Sequence, residues 1–238
     1  MKLQDQINSK QIKAILFDMD GTLYSSNAKV EHQIISSMQT TACEFLNIDR
    51  SEAIKLLQKY RKMYKSSVLG LEKHHSINPY EFYDNVYNRL DISKMEKYPD
   101  MDITLKSLSK LCPIFLMTNS NRGFTDRTLE KLNLKNTFEE TFTVEDNYFL
   151  RKPNIEVYQN IINNKLSLEF SEIAMFDDIA SSLKVISNEG STTILVGNGL
   201  LPPPSFIDLH TREVFNKAPN FVDYSTHDIV SFIKKYLI

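Results

Sequence analysis

The segment from Ala14 to Thr22 constrains this chain most, because four apolar residues lead directly into two aspartates and a glycine. A short apolar run that ends at a turn signal predicts a buried strand. Carboxylates do not fit the middle of such a strand, so Asp18 and Asp20 are predicted at its carboxyl end, the edge where open α/β sheets bind ligands. Residues two apart on a strand face the same way, so both carboxylates can converge on one small ligand.

Two acids held together at a buried edge repel each other and raise each other's pKa. A divalent cation relieves that repulsion, and oxygen-only ligands favour Mg²⁺. Gly21 allows the backbone to turn sharply and to approach the ligand closely. An Asp-x-Asp pair is also common in ordinary acidic turns after strands, so later segments must separate a functional site from a structural turn.

Composition narrows the class of protein. The 238 residues, 42% of them hydrophobic, suit one α/β domain or one domain with a smaller insert. The net charge of −2 and the lack of a basic run argue against a nucleic-acid polymer or a membrane surface as partner. Cys43 and Cys112 are expected to be buried thiols in a reducing compartment. A polar start and the lack of a long apolar run predict a cytoplasmic protein.

The first third of the chain predicts a helical insert. After a linker at Ser25-Ser26-Asn27, the apolar spacing becomes helical from about Lys29 onward. Asp49 followed by Glu52 is an N-cap signature, and Asn78-Pro79 is a second helix start. No strand candidate occurs between about residues 28 and 95. We therefore predict an all-helical cap over residues 27–96, above an α/β core formed by residues 1–26 and 97–238.

Strands and helices alternate in the rest of the chain, which predicts a doubly wound parallel sheet with helices on both faces. Residues 1–12 read as a polar lead-in, and residues 197–220, with Pro202-Pro203-Pro204, as a long loop. Ser225 is predicted to cap a last helix. The further predicted strands are 113–117, 140–144, 173–176, 193–196 and 221–222, and the predicted helices are 103–111, 123–132, 153–162 and 179–187.

Polar residues follow two of these strands and precede one of the helices. Thr118 and Asn119 end the second strand and can donate hydrogen bonds to phosphate oxygens. Lys152 stands just before a helix start that attracts anions. Asp177 and Asp178 end the fourth strand and can complete a cation site. Taken singly, each has a structural explanation: a polar strand end, a surface lysine or an acidic turn.

Along the chain, a pair of acids is followed by a hydroxyl, a lysine and a second pair of acids. These residues, in this order, resemble the motifs of the haloacid dehalogenase superfamily of phosphohydrolases. The resemblance extends from Ile15 to about Val196 and places the helical insert where that superfamily carries helical caps. The matching motifs are Asp18-Met19-Asp20-Gly21-Thr22, the strand ending in Thr118, Lys152 before Pro153, and Phe176-Asp177-Asp178.

The resemblance implies a role for each of these residues. Asp18 would be the nucleophile that forms an aspartyl-phosphate. Asp20 would be the general acid and then the base, which favours phosphate-ester hydrolysis over dehalogenation and over transport ATPases. Thr118 and Lys152 would bind the transferring phosphoryl oxygens. Mg²⁺ would be held by Asp18, the backbone carbonyl of Asp20, and Asp178.

The same resemblance leaves two points open. Gly21 and Asn119 join the expected phosphate-binding set, but either Asp177 or Asp178 could be the direct metal ligand. Members of the superfamily often carry an acid or an amide four residues after the last motif, where this chain has Ser182. The outer shell of the metal is therefore expected to be weaker, or to use Asp177.

The insert itself is similar to the cap of the pyrimidine 5'-nucleotidase branch, in the segments 70–75 and 78–83. That similarity implies UMP or CMP as substrate. His74 or His75, with Tyr80 and Tyr83, would contact the base or ribose, whereas Phe82 fits a cap-core aromatic better. The alternatives are a phosphatase of a sugar phosphate or phosphoglycolate, a phosphomutase, and a non-catalytic binding protein on this fold.

Overall fold

A computed structural model of the protein describes residues 3–25, 30–201 and 203–238. Two of the predicted linker residues, Ser26 and Asn27, lie outside the described residues, as does Pro202 of the triple proline. The predicted boundary between core and cap, between residues 26 and 27, also falls there, and so does the predicted helix start near Lys29.

Six parallel strands form the central sheet, in the order β3-β2-β1-β4-β5-β8. A separate antiparallel pair, β6 and β7, lies between β5 and β8 in the chain. The parallel, doubly wound α/β architecture predicted from the alternation is therefore confirmed. The strands are β1 (Ala14–Phe17), β2 (Ile114–Met117), β3 (Glu140–Phe142), β4 (Ile173–Asp177), β5 (Thr192–Val196), β6 (Phe206–Ile207), β7 (Val214–Phe215) and β8 (Tyr224–Thr226).

Strand β1 lies in the middle of the sheet and is buried on both faces. Ile15 and Phe17 belong to one hydrophobic core, and Ala14 and Leu16 belong to the core on the opposite face. Side chains alternate across a strand, so a strand covered on both faces needs apolar residues at every position. This packing explains the unbroken apolar run before Asp18.

Residues 30–96 contain four helices and no strand. The predicted caps at Asp49 and Asn78 are present: Asp49 accepts from Glu52 N, and Asn78 accepts from Tyr80 N, both at 2.9 Å. The sequence analysis did not distinguish the third of these helices. The side chain of its N-cap residue, Ser66, makes no capping hydrogen bond. The helices are α2 (Val30–Leu46), α3 (Arg50–Tyr64), α4 (Ser67–His75) and α5 (Pro79–Asn88).

The remaining helices are α1 (Leu3–Asn8), α6 (Met101–Leu108), α7 (Arg122–Lys131), α8 (Ile155–Gln159), α9 (Ala180–Ser187) and α10 (Ile229–Tyr236). A π-helical turn over Asn160–Lys165 continues α8. Among the described residues, no helix combines the length and apolar character needed to cross a membrane.

Two expectations near helix starts were wrong. The N-terminal segment is not a simple polar lead-in, because α1 buries Leu3 and Ile7 in the main core. The helix predicted from Pro153 begins instead at Ile155, where Asn154 is the N-cap and its side chain accepts from Glu156 N. An asparagine supplies the acceptor that the free N–H groups of a first turn need, which proline cannot do.

The C-terminal region differs most from the prediction. The last strand is β8, so Ser225 lies inside a strand, and Phe221 and Val222 lie just before it. Asp228 caps α10 instead and accepts from Ser231 N at 2.9 Å. The segment predicted as a loop contains the β6–β7 hairpin. Strands of two or three residues are too short to produce a recognisable pattern of alternation.

Candidate active site

Three aspartates from two neighbouring strands meet at the carboxyl edge of the sheet. The register pairs Phe17 with Phe176, and the Asp18 N–H extends the ladder by donating to the Phe176 carbonyl at 2.8 Å. Asp177 ends β4 and Asp178 follows it. All three aspartates are buried, and one carboxylate oxygen from each lies within 4.8 Å of the others. The structure thus brings the first and last predicted acid pairs together.

Lys152 connects two of these acids. Its ammonium lies 2.7 Å from Asp18 Oδ1 and 2.8 Å from Asp177 Oδ2, and all three side chains are buried. Burial by itself would lower the pKa of Lys152, but the charges of Asp177 and Asp18 outweigh it and raise the pKa. The lysine is therefore a permanent positive charge within this cluster.

One lysine does not balance three buried carboxylates. Burial raises the pKa of Asp177 to about 7, and it also raises the pKa of Asp18 and of Asp178. Asp178 receives a hydrogen bond from Asn198 Nδ2 at 3.2 Å on Oδ2, whereas its buried Oδ1 has no partner among the described residues. A hard divalent cation such as Mg²⁺ fits these oxygen donors and would supply the missing positive charge.

Gly21 makes this arrangement possible. Its φ of +87° lies in the left-handed region, and a Cβ at this position would come within 2.3 Å of Asp178 Oδ2. Any other residue would both strain the backbone and displace the carboxylate. The glycine of the first motif therefore gives Asp178 room beside the loop that follows β1.

Asp20 lies in a different environment from Asp18. Ser120 Oγ donates to its Oδ2 at 2.8 Å, and the Tyr24 hydroxyl donates to its Oδ1. Burial raises the pKa of Asp20, although these two donors act in the opposite direction. A raised pKa favours the protonated form, which can give a proton to a neighbouring oxygen. The sequence did not single out Ser120 or Tyr24.

Thr118 and Asn119 follow β2 at the same edge of the sheet. The Thr118 hydroxyl is buried and accepts from Ser120 N at 3.1 Å. Asn119 contacts the backbone of Lys152 twice: its Oδ1 accepts from the Lys152 N–H at 2.8 Å, and its Nδ2 donates to the Lys152 carbonyl at 3.1 Å. Asn119 thus holds the lysine in position, a contact that only the folded chain creates.

The structure does not bring His74 and His75 to this cluster. Both lie at the end of α4, where their Nε2 atoms bond to Tyr64 (2.7 Å) and Tyr60 (2.8 Å) respectively. Neither of them lines the cavity beside Asp18. Of the two predicted aromatic contacts, Tyr80 is exposed and Tyr83 is buried, and both pack against Phe149.

A cavity of about 160 Å³ opens beside the aspartates, and a second cavity of about 430 Å³ adjoins it. Four residues line both cavities: Arg61, Arg151, Lys152 and His210. Sequence reasoning did not select Arg61, Arg151 or His210. The inner cavity is lined by Asp18, Asp20, Asp177, Asp178, Asn119, Ser120 and Ser182, by Val30, Glu31, Ile34 and Met38 of α2, and by Leu209 and His210.

Ser182 stands where the superfamily often carries an acid or an amide, and in this fold a residue distant in the chain supplies that amide. Ser182 lines the inner cavity, and its backbone carbonyl accepts from the Tyr158 hydroxyl at 3.2 Å. The amide next to Asp178 is supplied by Asn198, which lies in the segment that the sequence analysis treated as a loop. No local pattern around Asn198 signals this contact.

A six-stranded parallel sheet with buried acids at its carboxyl edge defines an α/β protein whose ligand site lies at the strand ends, and the comparison with protein families narrows the class. The model of the haloacid dehalogenase-like hydrolases matches residues 15–196. The chain belongs to this family, which confirms the resemblance stated from the four motifs.

Individual relatives are distant. Phosphate metabolism protein 8 of Saccharomyces cerevisiae is 28% identical over 136 residues, which are 53% of this chain and 42% of that protein. The glyceraldehyde 3-phosphate phosphatase of Methanocaldococcus jannaschii is 25% identical over 94% of this chain and 99% of its own. Among solved structures, the crystal structure of a dehalogenase covers 95% of this chain and 97% of its own, with a TM-score of 0.58 and 17% identity, which supports the fold alone.

Proposed function

We propose that this protein hydrolyses small phosphate monoesters through an aspartyl-phosphate intermediate. The observation that carries the proposal is the contrast between Asp18 and Asp20. Asp18 is paired with the Lys152 ammonium at 2.7 Å, whereas the hydrogen bonds that Asp20 accepts from the described side chains come from two hydroxyl groups. A nucleophile must be ionised and a general acid must be protonated, so two neighbouring carboxyls need different environments.

In the first step, an Asp18 oxygen attacks phosphorus and the bond to the ester oxygen breaks. Asp20 gives its proton to that leaving oxygen. In the second step, Asp20 takes a proton from water as the water oxygen attacks phosphorus, which releases phosphate and restores Asp18. Lys152 and Thr118 would bind the phosphoryl oxygens and stabilise their negative charge. Asn119 would hold Lys152 in place for this contact.

We propose that Mg²⁺ would be held by Asp18, Asp178 and the backbone carbonyl of Asp20. When bound, it would supply positive charge that offsets the repulsion between a carboxylate and a phosphate. Asp177 is proposed to position Lys152 instead, because both of its oxygens already accept hydrogen bonds, from Lys152 Nζ and from Ile179 N, each at 2.8 Å. The unpartnered Oδ1 of Asp178 favours that residue as the direct ligand.

Two leaving groups are proposed. The cap-level resemblance favours a pyrimidine nucleoside 5'-monophosphate, and within residues 27–96, the proposed cap, α2 supplies an apolar wall that could contact a base. A smaller acidic metabolite such as phosphoglycolate is the second candidate, because Arg61 and Arg151 line the same space. The name of the M. jannaschii relative supports small phosphate esters in general.

Phosphate release with Mg²⁺ from UMP, CMP, AMP, phosphoglycolate and several sugar phosphates tests the proposal. Preference for UMP and CMP supports the nucleotidase assignment, and activity on the acids or sugar phosphates alone replaces it. Isomerised substrate with little free phosphate indicates a phosphomutase. No reaction with any ester by the folded, metal-loaded protein contradicts the proposed function and leaves a non-catalytic binding protein.

Asp18→Asn tests the mechanism directly. Loss of the nucleophile is expected to lower kcat by about 10⁴-fold or more, with an unchanged circular dichroism spectrum. Asp126→Asn, at an exposed position of α7, is the matched control and should retain full activity. Near wild-type turnover by Asp18→Asn would exclude the aspartyl-phosphate intermediate.

A further inference from the structure

Two arginines face the cavities without an acidic partner. Arg61 lies in the last turn of α3, within the proposed cap, and Arg151 directly precedes Lys152 in the core. Neither guanidinium makes a hydrogen bond or ion pair within the described residues, and the Arg151 Nε is buried and unpartnered. Buried polar atoms normally have partners, so an unpaired guanidinium nitrogen points to a ligand that is bound during function.

The two guanidinium groups are close enough to repel each other. Burial lowers the pKa of Arg61, and the charge of Arg151 lowers it further. Glu31, half-buried on α2, is the acid that faces them, but it forms no ion pair with either arginine. Asp20 also acts on Arg151 through its charge, without a direct bond. The junction of the two cavities therefore keeps an excess of positive charge.

The position of this charge relative to the reacting centre defines what it can bind. Lys152 lines both cavities and pairs with Asp18, so the transferring phosphate belongs at the inner cavity. Arg61, Arg151 and His210 line the passage to the outer cavity, and Lys65 extends the basic lining there. A leaving group attached to the phosphate must pass these side chains.

We propose that Arg61 and Arg151 together bind a second anionic group, a carboxylate or a phosphate, on the leaving group of the substrate. The inference rests on the proposed phosphatase function and names its substrate class: phosphate esters whose leaving group carries an anion of its own. Phosphoglycolate meets this requirement, whereas UMP and CMP do not. A planar guanidinium can hold a carboxylate or phosphate through two parallel hydrogen bonds, and two such groups compensate the charge of one anion.

The two arginines come from different parts of the fold, and this affects which substrates the cleft can select. One comes from the helical insert and the other from the core, so a single anion would join the two parts of the molecule across the cleft. An ester whose leaving group is uncharged would leave both arginines unpaired. Selection would thus depend on the charge of the leaving group in addition to its shape.

Binding of phosphonates tests the second-anion site independently of turnover, because the enzyme would not hydrolyse their carbon–phosphorus bond. Calorimetry would compare 3-phosphonopropanoate and propane-1,3-diyl bisphosphonate with propylphosphonate, which has no second anion, all with Mg²⁺. We expect wild-type protein to bind the first two about 10- to 100-fold more tightly, since hydrogen bonds between charged groups are strong. The better of the two identifies the second anion as carboxylate or phosphate.

Arg61→Gln is expected to lose most of this preference, and the exposed Lys62→Gln on the same helix is the matched control. Arg151→Gln provides a second variant in the core and should have the same effect. Wild-type protein that binds all three compounds equally, or an Arg61→Gln protein with the full preference, would overturn the inference.

A parallel turnover experiment separates this inference from the proposed function. Esters matched in the same way should show the same ratios of kcat/KM. If no ester is hydrolysed but the phosphonate preference is present and depends on Arg61, the second-anion site stands and the phosphatase proposal fails. If esters are hydrolysed without preference, the phosphatase proposal stands and the second-anion site fails.

Discussion

Two regions of the cleft differ in how their charges are paired. The core wall, made of Asp18, Lys152, Asp177 and Asp178, is buried, and its ion pairs are 2.7 to 2.8 Å long. At the rim, Arg61 from α3 is exposed and Arg151 from the core is half-buried, and neither has an acidic partner among the described residues. The core wall is organised before any ligand binds, and the rim keeps its charges available.

Solvation explains the difference. A fully buried charge is costly unless it is paired, so the core wall must satisfy its own groups or recruit a cation. An arginine at the rim stays partly hydrated and can remain unpaired until an anion arrives. Groups that act on the same phosphate in every substrate benefit from preorganisation, whereas groups that contact a variable leaving group do not require it. The following experiments test this division.

Among the experiments that compare the two regions, the largest effect is expected at Lys152. In Lys152→Met, Asp18 and Asp177 lose their shared partner while remaining buried, which should lower the free energy of unfolding by about 3–5 kcal/mol. Turnover should also fall by about 10³-fold, because charge stabilisation at the phosphoryl group is lost. Urea unfolding and phosphate release measure the two effects, and the exposed Lys135→Met is the control. Unchanged stability would show that the core wall is not held by this ion pair.

Gly21→Ala should weaken Mg²⁺ binding rather than the fold. The added Cβ would lie 2.3 Å from Asp178 Oδ2 and must push that carboxylate aside. We expect the affinity for Mg²⁺, measured by calorimetry, to fall by about 10- to 100-fold. Gly123→Ala in α7 is the matched control, since the nearest atom to its new Cβ would be 4.0 Å away. Equal Mg²⁺ affinity in the two variants would remove Asp178 from the metal site.

The metal-free protein should lose stability as the pH rises above neutrality. Burial raises the pKa of Asp177 to about 7 and also raises those of Asp18 and Asp178, so the folded state binds more protons than the unfolded state, and stability falls as these groups ionise. His210 and His227 have lowered pKa values and act in the opposite direction, but only below their ordinary value of about 6.5. The range above that value isolates the carboxyl groups.

In EDTA, we therefore expect Tm to fall by about 2–4 °C between about pH 6.5 and about pH 8.5. Saturating Mg²⁺ should abolish most of this decrease, because the cation favours the ionised carboxylates. Asp177→Asn should reduce the decrease and Asp126→Asn should not. A Tm that rises with pH in EDTA would mean that these acids are already ionised without the metal.

The smallest effect is expected at the histidines of α4. In His75→Gln, the hydrogen bond to Tyr60 is lost, which should cost about 1 kcal/mol of stability. Because His75 does not line the cavity beside Asp18, kcat/KM on any accepted ester should change by less than about twofold. A selective loss of UMP turnover in this variant would restore the predicted contact with a base or ribose.

Local patterns predicted the parts of the molecule whose causes are local. The run before Asp18 is apolar at every position because β1 is buried on both faces. Asp49 and Asn78 cap helices through atoms two or three residues away. The acids at the ends of β1 and β4 could be placed at one edge because parallel strands share their carboxyl ends.

Errors and omissions occurred where a residue depends on distant neighbours. The strand expected at Phe221 and Val222 lies a few residues later, because pairing with β5 decides its place. Asn198 reaches Asp178 from a segment with no readable pattern. His74 and His75 were assigned from a similarity of local sequence, which does not specify the direction in which α4 presents them.

The sequence by itself determined five of the six strands of the central sheet, the helix starts that carry a local cap signal at Asp49 and Asn78, and the identities of the acids and lysine, since these follow from the period of the apolar residues and from short-range hydrogen bonds. Tertiary structure alone decided that Asn119 holds the Lys152 backbone, that Asp177 pairs with that lysine, and that Arg61 of α3 lies beside Arg151. Such contacts join residues 25 to 90 positions apart. They depend on sheet register and helix packing, which are properties of the whole core rather than of any one segment.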